Sequence, residues 1–95
     1  MARLVMVGEV ENARAWEERF RSHSELFSTI YGPMGMNAIH FTTTEDNHFA
    51  LYSEVEDLDA WFKALESPEI EAAMAEDGVK RDTVQIHVLE KELNF

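Results

Sequence analysis

The sequence predicts an α+β fold with the element order βαββαβ, and three observations support this prediction. Residues 12–31 carry one helical face at spacings of four, three, four and three, formed by Trp16, Phe20, His23, Phe27 and Ile30. Residues 37–44 and 48–55 alternate between apolar and polar side chains around a polar turn, as in a β-hairpin. A second helical segment and a last alternating strand complete a ferredoxin-like sandwich, with a four-stranded antiparallel sheet and helices on one face.

The first half of the chain begins with a β-type run at residues 4–10. Asn12 follows it and is a good N-cap for the first helix. We expect that helix to run unbroken to Tyr31, with Gly32 as a left-handed cap and Pro33 as the stop.

The second helix is expected to begin after Asp57 as N-cap and to restart at Ser67-Pro68, where serine caps and proline occupies the first helical position. Residues 83–89 form the last predicted strand, and residues 90–95 a polar tail. The helix side of the sheet should carry an apolar set, namely Ile39, Phe41, Leu51, Val84, Ile86 and Val88. Residues 4–10 are apolar on both sides, so the pattern leaves the face of Val5 and Val7 open.

The composition is strongly acidic, with nineteen Asp and Glu against eight Lys and Arg and a formal net charge of −11. A surface of this charge repels phosphate backbones and anionic lipids, so we expect no nucleic-acid or membrane partner. The first apolar run ends at Glu9, too early for a membrane span or a signal peptide. Cysteine is absent. We therefore expect a cytoplasmic protein in which residues 1–95 form one domain.

The outer face of the predicted sheet is neither polar enough for free solvent nor apolar enough for a dry core. It carries Ala50, Tyr52, His87 and Leu89. Packing against a second copy would cover such a face, so we expect a homodimer.

Four groups of residues give the chain a resemblance to a known family. They are Trp16, Phe20 and His23; Glu54-Val55-Glu56-Asp57-Leu58; Leu65-Glu66-Ser67-Pro68-Glu69; and Met74-Ala75-Glu76-Asp77-Gly78-Val79. Together they resemble the dimeric α+β barrel proteins related to antibiotic-biosynthesis monooxygenases, including small members with no assigned activity. The resemblance covers nearly the whole chain. It implies a homodimer whose two sheets form a barrel, with a pocket between the sheet and the helices of each subunit.

The resemblance also implies what that pocket does. Monooxygenase members act there on polycyclic aromatics without a metal or prosthetic group, so it implies no cofactor here. Haem-degrading members carry an Asn on the first strand and an iron-ligating His on the second helical segment. This chain has no Asn in residues 4–10 and no His between Asp57 and Gly78, which argues against haem degradation. Trp61 stands where active relatives place an aromatic residue, although a core role is equally ordinary there.

His23 is the candidate catalytic residue, because imidazole, with an ordinary pKa of roughly 6.5, suits proton transfer near neutrality. Trp16, Phe27, Tyr31 and Trp61 are the candidate ligand-binding residues, which would hold a small aromatic or apolar ligand while His23 takes a proton from its hydroxyl. The alternative is a core histidine whose nitrogens are hydrogen-bonded. The functional interpretation requires a cavity of at least a few hundred Å³ touching the ring.

A metal site is not expected. His40 and His87 lie on strands that the fold places at opposite edges of the sheet, about 14 Å apart within one chain, whereas metal ligands lie at about 2 Å. They could meet only across a dimer. The acidic residues at positions 54, 56, 57 and 59 are typical of a solvated turn and helix start, with a cation site as the alternative.

Two classes of function follow from the sequence. The first is a cofactor-independent oxygenase, isomerase or similar enzyme that uses the sheet–helix pocket with His23 as acid or base. The second is a non-catalytic homodimer that binds a small apolar ligand or serves as an accessory protein. Fold by itself does not decide between them.

Overall fold

The computed structural model describes residues 2–36 and 38–90, with the backbone alone at residues 38 and 39. One antiparallel sheet has the strand order β2-β3-β1-β4, with β1 at Ala2–Val10, β2 at Ala38–Thr43, β3 at His48–Val55 and β4 at Val79–Leu89. The helices are α1 at Ala13–Ser22, α2 at Ser24–Tyr31, α3 at Leu58–Leu65 and α4 at Pro68–Glu76. The predicted α+β ferredoxin-like fold is confirmed. Residue 37 of the predicted hairpin and residues 91–95 of the predicted tail lie outside the described residues.

The core lies between the sheet and the helices. Strand β1 alternates in burial, and its buried positions Leu4, Met6, Gly8 and Val10 face the helices. The predicted apolar set packs with them at Phe41, Leu51, Val84 and Ile86, while Val88 at the sheet's edge is 38% exposed. The side chain of Ile39 lies outside the described residues.

The strand register decides the face of Val5 and Val7. Val5 pairs with Tyr52 and His87, and Tyr52 pairs with His40, so these four residues form one row across the outer face. His40 and His87 therefore sit on the two edge strands. Within the described residues, no group of three or more His, Cys, Asp or Glu is arranged to hold a metal, and no helix is long and apolar enough to cross a membrane.

The three predicted N-caps are all present. Each cap's side-chain oxygen accepts a hydrogen bond from a backbone N–H three residues on: Asn12 from Ala15, Asp57 from Ala60 and Ser67 from Ile70. These bonds satisfy donors that the first turn of a helix leaves without intrahelical partners.

The first helical segment is not continuous, which corrects the prediction of one helix to Tyr31. His23 separates α1 from α2 with φ −92° and ψ 9°. The Ser22 hydroxyl donates to the carbonyl of Arg19 at 2.7 Å, and the His23 N–H donates to the same carbonyl at 3.2 Å. A serine side chain that shares a helical carbonyl competes with the regular backbone bond, which favours ending the helix there.

The left-handed turn after α2 lies later than predicted. Gly32 has right-handed helical angles, φ −54° and ψ −49°, and begins a short 3-10 helix at Gly32–Met34. Pro33 fits this first turn because its missing N–H is not needed there. Gly35 then takes φ 72° and supplies the left-handed residue.

Strand β4 begins at Val79, four residues before the predicted start. Its pairing with β1 shifts register between Val7 and Glu9, where the Thr83 hydroxyl accepts from the Glu9 N–H at 2.9 Å. This side-chain bond satisfies the Glu9 N–H where the register shifts, and the pairing of β1 with β4 then extends to Val10 and Val79. Polar residues 80–82 interrupt the alternation that would have indicated a strand.

Candidate functional site

A cavity of about 70 Å³ lies in the core between the sheet and the helices. Its wall is almost wholly apolar. The wall includes aromatic rings from α1, α2 and α3, together with side chains from the central strands β1 and β3. The lining residues are Leu4, Met6, Trp16, Phe20, Phe27, Tyr31, Met36, Phe49, Leu51, Ser53, Trp61, Leu65, Ile70, Met74, Asp77 and Val79. This volume is below the few hundred Å³ that we expected of a small-molecule site. A ligand larger than a few waters therefore requires side chains to move.

All four candidate ligand-binding residues line this cavity. Trp16 and Trp61 are 2% and 3% exposed, and Phe27 and Tyr31 come from α2. Trp16 stacks on Phe49 of the central sheet at a ring distance of 5.2 Å, so the sheet and α1 fix its position together. Trp16 and Phe27 belong to the sequence stripe, which a helical period of 3.6 places on one face, whereas Trp61 comes from α3.

His23 does not line the cavity. Its ring packs edge-on against Phe27, with ring centres 5.9 Å apart, and its side chain is 21% exposed in a shallow cleft at the protein surface. The cleft is formed with Arg19, Ser22, Glu76 and Asp77. The imidazole thus stands behind the cavity wall, and the break between α1 and α2 places it there.

Asp77 separates the imidazole from the cavity and lines both spaces. Its side chain is 2% exposed. The Nδ1 atom of His23 lies 3.0 Å from Oδ1 and 3.4 Å from Oδ2, but only the Oδ2 contact has hydrogen-bond alignment. Within the described residues, Oδ1 of Asp77 is a buried oxygen without a hydrogen-bond partner. The other ring nitrogen of His23, Nε2, lies 3.2 Å from Oε2 of Glu76.

The charge of Asp77 is unfavourable where it lies. Burial raises the pKa of its carboxyl above the ordinary value, and the neighbouring His23 only partly opposes this rise. Glu76 and Asp77 also stand at the C-terminal end of α4, which has no basic residue in its last turn, and helix dipoles disfavour anions there. The fold therefore holds an acid in a position that stability alone does not favour.

Sequence reasoning missed Asp77 as a site residue and named it only within residues 74–79, one of the groups that carry the family resemblance. One signal was available: two consecutive carboxylates precede Gly78 at a predicted helix C-terminus, where Lys or Arg is the favourable choice. Phe20 was placed on the helical stripe but not in the site, and it lines the cavity.

Two further polar groups reach the cavity wall. Ser53 on β3 is 4% exposed, and Tyr31 is 9% exposed. Burial raises the pKa of the Tyr31 phenol to about 12, so this hydroxyl stays protonated under ordinary conditions.

Comparisons with solved structures agree with this architecture. The oxygenase SnoaB from Streptomyces nogalater, described as cofactor-independent, is 18% identical with a TM-score of 0.68, and the match covers 98% of this chain and 94% of that one. A candidate antibiotic biosynthesis monooxygenase from Bordetella bronchiseptica is 14% identical with a TM-score of 0.70 and 97% coverage of both chains. Another candidate from Deinococcus radiodurans is 13% identical with a TM-score of 0.63, covering 100% of this chain and 96% of that one.

The structural neighbours are thus antibiotic biosynthesis monooxygenase-like proteins, as the sequence resemblance predicted, and the chain has their fold. The sequence matches no protein-family model and no protein of curated function. At identities this low the likeness is one of architecture, and function must be argued from the site itself.

Proposed function

We propose that this protein is a cofactor-independent, monooxygenase-like enzyme that acts on a small aromatic or apolar substrate in the cavity between sheet and helices. One observation carries the proposal: an aromatic-walled core cavity is bordered by a buried carboxyl group, Asp77, with a partly exposed imidazole, His23, directly behind it. An apolar enclosure with a few polar groups is the usual composition of a small-molecule site. The shared fold with a cofactor-independent oxygenase adds support.

The chemistry needs a base and a dry enclosure. Removing a proton from the substrate leaves an electron-rich anion that can reduce dioxygen itself. For a methylene group oxidised to a carbonyl, four electrons pass to dioxygen, one oxygen atom enters the product and the other leaves as water. Asp77, which lines the cavity, is the group that takes this proton, and His23 acts through Asp77 because the imidazole itself lies outside the wall. Trp16, Phe27 and Trp61 hold the rings of the substrate.

The cavity can enlarge to admit such a substrate. Met6, Met36 and Met74 contribute to its wall. Methionine has three rotatable bonds and adapts to irregular spaces, so these side chains can move with less strain than branched ones.

Oxygen consumption with a panel of small hydroxylated aromatics that carry a ring methylene group, in buffer treated with a metal chelator, tests this function. We expect turnover in the wild type and at least a hundredfold loss of kcat in His23→Ala, with an unchanged circular dichroism spectrum. His48→Ala is the matched control. Like His23, His48 lies between two carboxylates, with Glu9 at 3.3 Å and Asp46 at 3.2 Å, but it does not line the cavity or its adjoining cleft. Equal loss in both variants, or no turnover of any compound, contradicts the proposal.

The second candidate function is binding of a small apolar ligand without reaction, and the nearly complete apolar character of the cavity wall favours it. It predicts a rise in melting temperature with ligand but no product. Mass spectrometry of the ligand recovered after incubation in air separates the two functions, because only an enzyme returns an oxygenated compound.

We further propose that the protein is a homodimer joined through the outer face of the sheet. Val5, Val7, Ala50 and Tyr52 lie half-buried on that face, and Leu89 is 39% exposed. Sedimentation of the wild type should give twice the 11.0 kDa of one chain, and Val7→Glu should give one chain because it places a charge in the centre of the face. A wild type that sediments as a single chain contradicts the dimer.

A further inference from the structure

We infer that Asp77 is the residue that contacts the ligand in the cavity, and that it accepts a hydrogen bond through Oδ1 from an O–H or N–H group of an otherwise apolar molecule. His23 is then a positioning residue that orients Asp77. This inference rests on the proposed use of the cavity as a small-molecule site.

The geometry of the carboxyl group supports this assignment. Asp77 lines the cavity with a side chain that is only 2% exposed. One of its oxygens, Oδ2, is engaged by the imidazole of His23, while Oδ1 lies 3.0 Å from the same Nδ1 without hydrogen-bond alignment and has no hydrogen-bond partner within the described residues. A buried carboxylate oxygen without a partner carries a desolvation cost that a ligand's donor group would remove. A ligand's O–H or N–H group would supply the hydrogen bond that Oδ1 lacks.

The surrounding charges define which ligands fit. The charged and titratable groups nearest Asp77 are His23, Glu76 beside it on α4, and Arg19 on α1, whose guanidinium donates to the Glu76 carbonyl at 3.1 Å. None of these three lines the cavity, whose remaining wall is apolar except for Ser53 and Tyr31. A neutral donor is therefore accepted, and an anionic ligand is repelled by the carboxylate of Asp77.

The same contact with Asp77 can remove a proton from the ligand. The ligand's O–H bond breaks, its electron pair stays on the ligand oxygen, and the proton passes to Asp77. His23 holds the other carboxyl oxygen, because its Nδ1–H donates to Oδ2, and the proton taken from the ligand stays on Asp77. Charge and atoms balance without any oxidant, because only a proton moves.

Binding of phenol, benzene and benzoate, measured by NMR titration of the folded protein, tests the inference. Phenol and benzene differ by one hydroxyl group. We expect the wild type to bind phenol at least tenfold more tightly than benzene and to bind benzoate more weakly than phenol. Asp77→Leu should bind both neutral compounds within about twofold of each other. Asp82→Asn, which removes an exposed acid on β4, is the control and should keep the wild-type preference.

The pH profile separates ligand contact from a purely structural role. Lowering the pH should weaken phenol binding in the wild type as Asp77 takes up a proton and Oδ1 becomes a poorer acceptor. In His23→Ala this weakening should begin at higher pH, because the imidazole opposes the rise in the pKa of Asp77. Asp77→Asn, which keeps the size of the side chain and serves if Asp77→Leu does not fold, should bind phenol without this pH dependence.

The outcomes distinguish the two proposals. Equal affinity of the wild type for phenol and benzene overturns the role of Asp77 and leaves the cavity as a ligand site. Failure to bind either compound overturns the inference and removes support from the proposed function as well. An unchanged phenol preference in Asp77→Leu, or an unchanged pH profile in Asp77→Asn, also overturns the inference.

Discussion

Leu4→Ala should enlarge the core cavity and destabilise the protein. Leu4 is fully buried on the central strand β1 and lines the cavity wall. Removing three carbon atoms costs about 2.4 kcal/mol at ~0.8 kcal/mol per methylene. If the cavity roughly doubles, the added volume of about 70 Å³ costs about 1.7 kcal/mol at ~24 cal/mol per Å³. We therefore expect the free energy of unfolding to fall by about 4 kcal/mol.

Urea unfolding monitored by tryptophan fluorescence measures this change, since Trp16 and Trp61 both line the cavity. With a slope of about 1.5 kcal/mol per M, the midpoint should fall by about 2.7 M. Leu4→Val is a milder variant for which we expect a loss of about 1 kcal/mol. The enlarged cavity in Leu4→Ala approaches the ~150 Å³ at which an apolar cavity binds benzene, so added benzene should restore part of the stability.

Val55→Ala is the matched control, because Val55 is equally buried on the neighbouring strand β3 but does not line the cavity. It should lose stability while its response to benzene stays at the wild-type level. A loss below about 1.5 kcal/mol in Leu4→Ala, or the same benzene response in both variants, would refute the reasoning. Either result would mean that the wall collapses around the deletion.

Three further predictions concern single positions. In Gly8→Ala the new Cβ would lie 2.9 Å from Cε1 of Phe49, so overpacking should lower the free energy of unfolding, measured in urea, by about 1–3 kcal/mol. Gly32 has open space around it and helical angles, so Gly32→Ala should raise the free energy of unfolding by about 0.5–1 kcal/mol. A stabilised Gly8→Ala would contradict the packing. Because the pKa of Asp77 is raised in the folded state, the folded state binds this proton more tightly than the unfolded state does. Proton binding to Asp77 therefore stabilises the protein below the ordinary pKa, and this contribution is lost as pH rises through the folded-state pKa. The unfolding free energy of the wild type minus that of Asp77→Asn should fall with pH over this window, and a rise would contradict the direction. Ultraviolet titration should show a tyrosine ionising at about 12 that is missing in Tyr31→Phe, and a titration unchanged by this substitution would contradict the assignment.

Local patterns in the sequence were sufficient for much of the fold. The caps at Asn12, Asp57 and Ser67 depend on contacts within three residues, and the hairpin depends on period-two alternation, so both are readable without tertiary information. The helical stripe placed Trp16 and Phe27 on one face for the same reason. These are short-range effects, and the structure confirms them.

Long-range contacts decided the remainder. The stripe alone did not reveal that the His23 ring lies outside the cavity, because the ring's partners Glu76 and Asp77 lie more than fifty residues away. Likewise the faces of Val5 and Val7 followed only from the register of β1 with both of its neighbours. The sequence determined a helix–sheet sandwich with an aromatic interior. Only the packing of α4 against the α1–α2 junction placed a buried carboxyl group between that interior and the imidazole, because such a juxtaposition depends on chain crossings that no local period encodes.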